Sequence, residues 1–164
     1  MKIHNIFPLT IIHDKIEISD DERNKLVHFK SITFQNDKEK YVNLKYDENI
    51  NKLIIDGSSY KGEANLDCVI GNWWNHKILE ANRQISPLSG SLKDQVVKFI
   101  GYENITLYGK NFSAAHYKLK SKDDNLPDDK KLDFDIWLDR KNNLILKVTY
   151  KRMGDWEYRL KSYQ

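Results

Sequence analysis

Apolar and polar residues alternate with period two along most of the chain, the pattern of strands that turn one face to a core. Ile12, Asp14, Ile16 and Ile18 share one parity, with His13, Lys15 and Glu17 on the other. Leu26 to Phe34 is rich in β-formers and is bounded by the polar stretches 20–25 and 35–40. Tyr41 to Tyr46 and Leu53 to Ile55 follow, then Val96 to Ile100, Ile105 to Tyr108, Phe112 to Leu119, Leu132 to Leu138, Leu144 to Tyr150 and Trp156 to Leu160. The separators carry hairpin chemistry. Gly109-Lys110-Asn111, Asn142-Asn143 and Met153-Gly154-Asp155 supply residues that tolerate positive φ. The polar stretch Ser121 to Lys131, with Pro127 inside it, reads as the one long loop and as the mobile segment.

One segment breaks the pattern. Trp74, Ile78 and Ile85, with Leu79 and Ala81, suit an apolar stripe at helical spacing. Gly71-Asn72 offers a cap and Pro87 a stop. The expected fold is therefore mainly β: one domain over residues 1–164, an antiparallel curved sheet or half-barrel meander with a short helix packed on it. The short gaps leave no room for repeated parallel crossovers. The C-terminal third is a meander with one buried and one wet side. Leu146, Val148 and Tyr150 are expected on one face, and Trp156, Tyr158 and Leu160 likewise share a face.

Composition narrows the function classes. A chain of 164 residues can bury a core, and its 40% apolar and 31% charged residues suit a globular domain rather than a disordered one. No run of apolar residues is long enough for a transmembrane helix. The net charge of +3 comes from cations spread among acids, as in Asp128-Asp129-Lys130-Lys131. Nucleic-acid binding is not expected, because such proteins gather their cations on one face. Only a fold that assembled Lys147, Lys151, Arg152, Arg159 and Lys161 would build such a patch. A single cysteine, Cys68, excludes an internal disulfide and a cysteine-based zinc cluster. The first thirteen residues break on polar side chains and lack the continuous apolar run of an export signal. Read alone, that start implies a cytoplasmic protein if it is the genuine start, and otherwise a chain whose true start lies upstream.

Trp73-Trp74-Asn75-His76, Gln84-Ile85-Ser86-Pro87-Leu88-Ser89-Gly90, Asp135-Ile136-Trp137-Leu138-Asp139 and Gly154-Asp155-Trp156-Glu157-Tyr158 carry a resemblance. As a set they resemble an uncharacterised proteobacterial envelope family, domain-of-unknown-function family 6134, over roughly Lys25 to Lys161. The resemblance implies an exported, periplasmic, all-β protein of no established activity. It also implies a likeness to the half-barrels of lipoprotein carriers, an analogy of fold. In that pattern further strands precede the segment matching Lys25 to Asn36. A sheet lacking them would expose an edge suited to a homodimer.

The candidate chemistry is sparse. His4, His13, His28, His76 and His116 form no close metal-binding pair, so neither metal nor cofactor is expected. His28 and His116 read as ordinary strand residues, and His76, beside two tryptophans, as the best single site candidate. Cys68, among Leu66, Val69 and Ile70, reads as a small buried apolar residue. Ser58-Ser59 lacks a nucleophile-elbow frame. Asp133, Asp135 and Asp139 read as a solvent face, with Asp139 opening a turn. The expected role is non-enzymatic binding of an apolar or amphiphilic small molecule, such as a lipid, in a groove between sheet and helix. Trp73, Trp74, His76, Trp137 and Trp156 are expected to line it. The alternatives are an enzyme pairing His76 with Asp135 or Asp139, and an interaction protein that pairs through an open sheet edge.

Overall fold

The computed structural model describes residues 10–12, 26–35, 38–72, 76–151 and 155–161. The fold is mainly β, and the described residues contain no α-helix. The chain divides into two compact units, residues 1–71 with 85–92, and residues 72–84 with 93–164.

The first unit is an antiparallel meander. Its strands are β1 (Thr10–Ile12), β2 (His28–Gln35), β3 (Lys38–Asp47), β4 (Lys52–Gly57) and β5 (Lys61–Ala64), paired in that order. A short β6 (Val69–Ile70) follows. Register puts Phe29 opposite Leu44, Leu44 opposite Ile55, and Leu53 opposite Ala64. These residues, with Val42, Cys68, Ile70 and Ile85, are the core. Cys68 is buried there, as its apolar neighbours suggest.

Ser86 to Gly90 closes against the core side of this sheet. Ser31 Oγ donates to the Pro87 carbonyl. Ser59 N–H donates to Ser89 O at 3.0 Å, and Gly90 N–H to Ser86 O at 2.9 Å. The approach is backbone to backbone. A Cβ on Gly57 would run into the Ser89 carbonyl and lie 2.9 Å from Gly90 Cα. Gly90 itself holds φ +75°, which glycine adopts without a steric penalty.

The second unit is a curled half-barrel. It is built from β8 (Leu92–Leu107), β9 (Lys110–Ser121), β10 (Asp133–Asp139), β11 (Ile145–Lys151) and β12 (Asp155–Arg159). Their spatial order is the chain order, each antiparallel to the next. β7 (Arg83–Ile85) lies beside β8. Two-sided alternation sorts the side chains. Phe134, Ile136 and Leu138 share a face with Leu119, Tyr117 and Ala115, while Asp133, Asp135 and Trp137 share the other with Lys120, Lys118 and His116.

Three expectations need correction. The helix expected from Trp74 to Ile85 is a 3-10 turn, His76–Leu79, followed by a strand. Ile78 and Ala81 are both buried, and their spacing of three suits that tighter turn. Second, Val96–Ile100 and Ile105–Tyr108 are not two strands but parts of β8, which carries a bulge between Phe99 and Gly101; a glycine inside a strand often marks a bulge. Third, a bulge at Trp137/Leu138 leaves Leu146 unpaired. Leu146 therefore packs with Trp137, Leu107, Ala114 and Leu160, on the side opposite Val148.

The turns follow their residues. Tyr108 and Gly109 both have positive φ between β8 and β9, the two-residue geometry that matches strand twist. Asn143, φ 58°, closes the β10–β11 turn, where Lys141 N–H donates to Asp139 Oδ1 at 3.1 Å. The Met153-Gly154 turn lies outside the described residues. The stretch 121–131 is tied to its neighbours: Ser121 Oγ accepts from Leu132 N–H at 2.8 Å, and Lys93 Nζ donates to the Lys130 carbonyl at 2.7 Å.

Gln95 ends the 3-10 turn from across the strand. Its Nε2 donates to the carbonyls of Ile78 (2.7 Å) and Ala81 (2.8 Å), and its Oε1 accepts from Gln84 Nε2 at 2.7 Å. Both glutamines are buried, so an unmade bond costs the desolvation of the group left behind.

Two stability predictions follow from these contacts. Gly57→Ala must push the Ser89–Gly90 backbone away, and is expected to cost about 1–3 kcal/mol in urea unfolding. Gln95→Leu orphans two carbonyls and one amide, and should cost at least about 2 kcal/mol, with the near-ultraviolet aromatic signal of the folded state retained.

Candidate functional site

The half-barrel presents two chemically different faces. On the first, β8, β9 and β10 bring charged and aromatic groups together. His116 bonds through Nδ1 to Glu103 Oε1 at 2.9 Å and through Nε2 to Asp135 Oδ1 at 2.8 Å. Its ring stacks on Trp137, with centroids 4.3 Å apart and planes at 16°. Trp137 Nε1 donates to Glu103 Oε1 at 2.5 Å. Lys118 Nζ donates to Asp135 Oδ2 at 2.8 Å and also binds Asp133. On the far side, Lys147 lies 4.6 Å from the Trp137 ring centroid and bonds Glu157 at 3.2 Å, while Arg159 also binds Glu157. The C-terminal cations are thus paired with acids at these positions.

This electrostatics is self-satisfying. Burial pushes the Asp135 carboxyl up, but the hydrogen bonds from Lys118 and His116 outweigh it and leave the group below its ordinary value. Burial lowers Lys118 in turn, and its bonds to Asp133 and Asp135 reverse that, so it lies above its ordinary value. Both shifts favour the charged forms. Among the described residues no group of three or more metal-ligating side chains is assembled.

The second face is aromatic. Phe99, Tyr102 and Tyr117 form a shelf, with Phe99 5.0 Å from Tyr102 and 5.4 Å from Tyr117 between ring centroids. Phe99 and Tyr102 are 45% and 64% exposed. The Arg140 guanidinium lies 4.0 Å over the Tyr102 ring. At the other flank Trp156 and Tyr158 sit opposite Tyr150 and Val148, and both are exposed. Between the flanks Leu119, Ile136 and Val148 are buried.

The expected site residues are distributed as follows. Trp73 and Trp74 lie outside the described residues, as do His4 and His13. His76 is an exposed residue of the 3-10 turn. Trp137 and Trp156 lie on opposite faces, because Trp137 pairs with Lys147 whereas Trp156 pairs with Tyr150. Register therefore does not bring those two together. His116, read as an ordinary strand residue, is the centre of the ionic cluster. Asp135, read as solvent-facing, is largely buried in it, its side chain 20% exposed. Glu103 was not singled out by sequence reasoning, and the only available signal was the period-two match of His116, Lys118, Asp135 and Trp137 across adjacent strands.

The family model for a domain of unknown function, DUF6134, matches residues 4–161. The chain belongs to this family. The match begins at residue 4, well before the Lys25 where the resemblance was expected to start. No curated protein and no solved structure matches this chain. In this member of DUF6134, two of the motif segments have structural work to do: Ser86 to Gly90 closes on β4, and Asp135 to Asp139 carries the cluster and its turn.

The Asp135 shift has a definite sign. A carboxyl held below its unfolded value adds stability that is present above that value, about pH 3.9, and is lost as pH falls through the folded one. Asp135→Asn should lower stability at pH 7 by about 1–3 kcal/mol. The gap to the parent protein should narrow as acid unfolding is followed below about pH 4. A constant gap across that range would show that Asp135 carries no such linkage.

Proposed function

We propose that this chain is a non-enzymatic cell-envelope protein that binds an anionic amphiphile on the aromatic face of its half-barrel. The observation that carries the reading is the Phe99–Tyr102–Tyr117 shelf with Arg140 at its end. Exposed rings offer apolar area to an acyl chain, at up to about 0.8 kcal/mol for each CH₂ removed from water. The guanidinium offers a carboxylate or phosphate head group a charge-assisted, two-pronged partner. Tyr102 serves both ends, since its ring carries the cation and borders the shelf. The envelope setting rests on the family resemblance.

An enzyme built on His76 draws no support from these contacts. Asp135 has one oxygen bound to His116 and the other to Lys118, and Asp139 is buried and caps its own turn.

A fluorescent long-chain fatty acid should bind saturably. Shortening the chain by two CH₂ groups should weaken binding by up to about fifteen-fold. Arg140→Glu should weaken the acid by about tenfold or more while leaving the matching fatty alcohol unchanged. Equal loss for acid and alcohol, or no saturable binding by folded protein, contradicts the proposal.

A further inference from the structure

The long strand β8 has β9 along one side for its whole length. Along the other side, among the described residues, it has only β7, which is three residues long. β7 meets β8 near its start, where Gln95 N–H donates to Asn82 O at 2.9 Å and Arg83 binds Asp94. Among the described residues, 96–107 thus form an open edge. Val96, Phe99, Ile100 and Tyr102 are large, apolar and 43–64% exposed there. Natural sheets usually blunt such an edge with charge, proline, a bulge or a covering loop; this edge carries no proline, and its charges, Lys98 and Glu103, and its bulge are the features that fix a register for pairing.

We propose that this edge pairs antiparallel with the same edge of a second copy, about a two-fold axis normal to the sheet. The bulge decides the register. A two-fold axis of that kind preserves the faces, so residues set opposite each other must come from the same face. Without a bulge, residues an odd number of positions apart lie on different faces. The bulge between Phe99 and Gly101 shifts parity once. Lys98, opposite Lys118, and Glu103, opposite Ala114, therefore share one face. Phe99, opposite Tyr117, and Tyr102, opposite Ala115, share the other.

A register centred on Ile100 and Gly101 then sets Lys98 against the partner's Glu103 and Phe99 against the partner's Tyr102. Both pairings occur twice by symmetry. Val97 meets the partner's Asn104 and Val96 the partner's Ile105 on matching faces. The charge pairing is complementary on both sides of the axis. It also relieves a local conflict, because Lys98 sits directly across from Lys118 within its own chain. Glu103 uses Oε1 for His116 and Trp137, and its side chain stays 45% exposed. An axis normal to the sheet leaves both aromatic shelves on the same side, next to each other. The inference does not depend on ligand binding, and its test contains no ligand.

Light scattering coupled to size exclusion should give twice the 19.4 kDa chain mass at high concentration, falling to the monomer on dilution. Lys98→Glu places like charges opposite each other twice and should raise the dimer dissociation constant by at least about tenfold. Adding Glu103→Gln to that variant keeps the acceptor for Trp137 but removes the repelling charge, and should restore most of the affinity. Far-ultraviolet circular dichroism and melting on each variant establish that it is folded. A protein that stays monomeric at its highest soluble concentration overturns the proposal. So does a dimer whose dissociation constant Lys98→Glu leaves unchanged, or a Lys98→Glu loss that Glu103→Gln does not recover.

Discussion

The half-barrel depends on strand register. Pairing Trp137 with His116 commits every neighbouring residue of β9 and β10 to one face or the other. Side chains repeat with period two, so a slip of one residue would exchange the faces. A slip of β10 would carry Asp133 and Asp135 into the positions now held by Phe134 and Ile136, and a slip of β9 would carry His116 and Lys118 into those of Tyr117 and Leu119. The ionic cluster helps to specify that register. His116 stacks on Trp137, and both rings bond to the same Glu103 oxygen. A slipped pairing would separate these groups and bury charges without partners, which costs more than the pairing itself contributes.

The first unit solves a different problem, a close approach of backbone to backbone. Gly57 and Gly90 leave space where side chains would otherwise stand, and the Ser86–Gly90 turn fills it. Its backbone groups are met by Ser31, Ser59 and their own turn. In the second unit the buried carbonyls of the 3-10 turn are met by Gln95. Both of these departures from regular sheet structure thus have a named polar partner, as buried backbone groups require.

Much of this was legible in the sequence. Alternation located the strands, and Asn143 and Gly109 marked turns because they accept positive φ. Family-like segments appeared where the backbone makes unusual demands, at Pro87 to Gly90 and at Asp135 to Asp139. Other features were hidden for physical reasons. A bulge adds one residue without changing composition, so Leu146 and Ile100 could not be assigned to a face by counting parity. The apolar spacing of Ile78, Ala81 and Ile85 fits a helix as well as a 3-10 turn followed by a strand. The choice between them rests on Gln95, distant in sequence. His116 looked ordinary because its partners, Glu103 and Asp135, come from two other strands, and only register brings them within bonding distance. The aromatic shelf was hidden in the same way, since the β8 bulge turns Phe99 and Tyr102 to one side.

The register of β9 against β10 is tested most directly by proton–proton nuclear Overhauser contacts of the Trp137 indole ring in labelled protein. The account predicts contacts from that ring to the His116 imidazole and the Lys147 side chain. It predicts none to Tyr117 or Val148. Contacts to Tyr117 or Val148, with those to His116 missing, would place the strand one residue out of step and contradict the assignment of both faces.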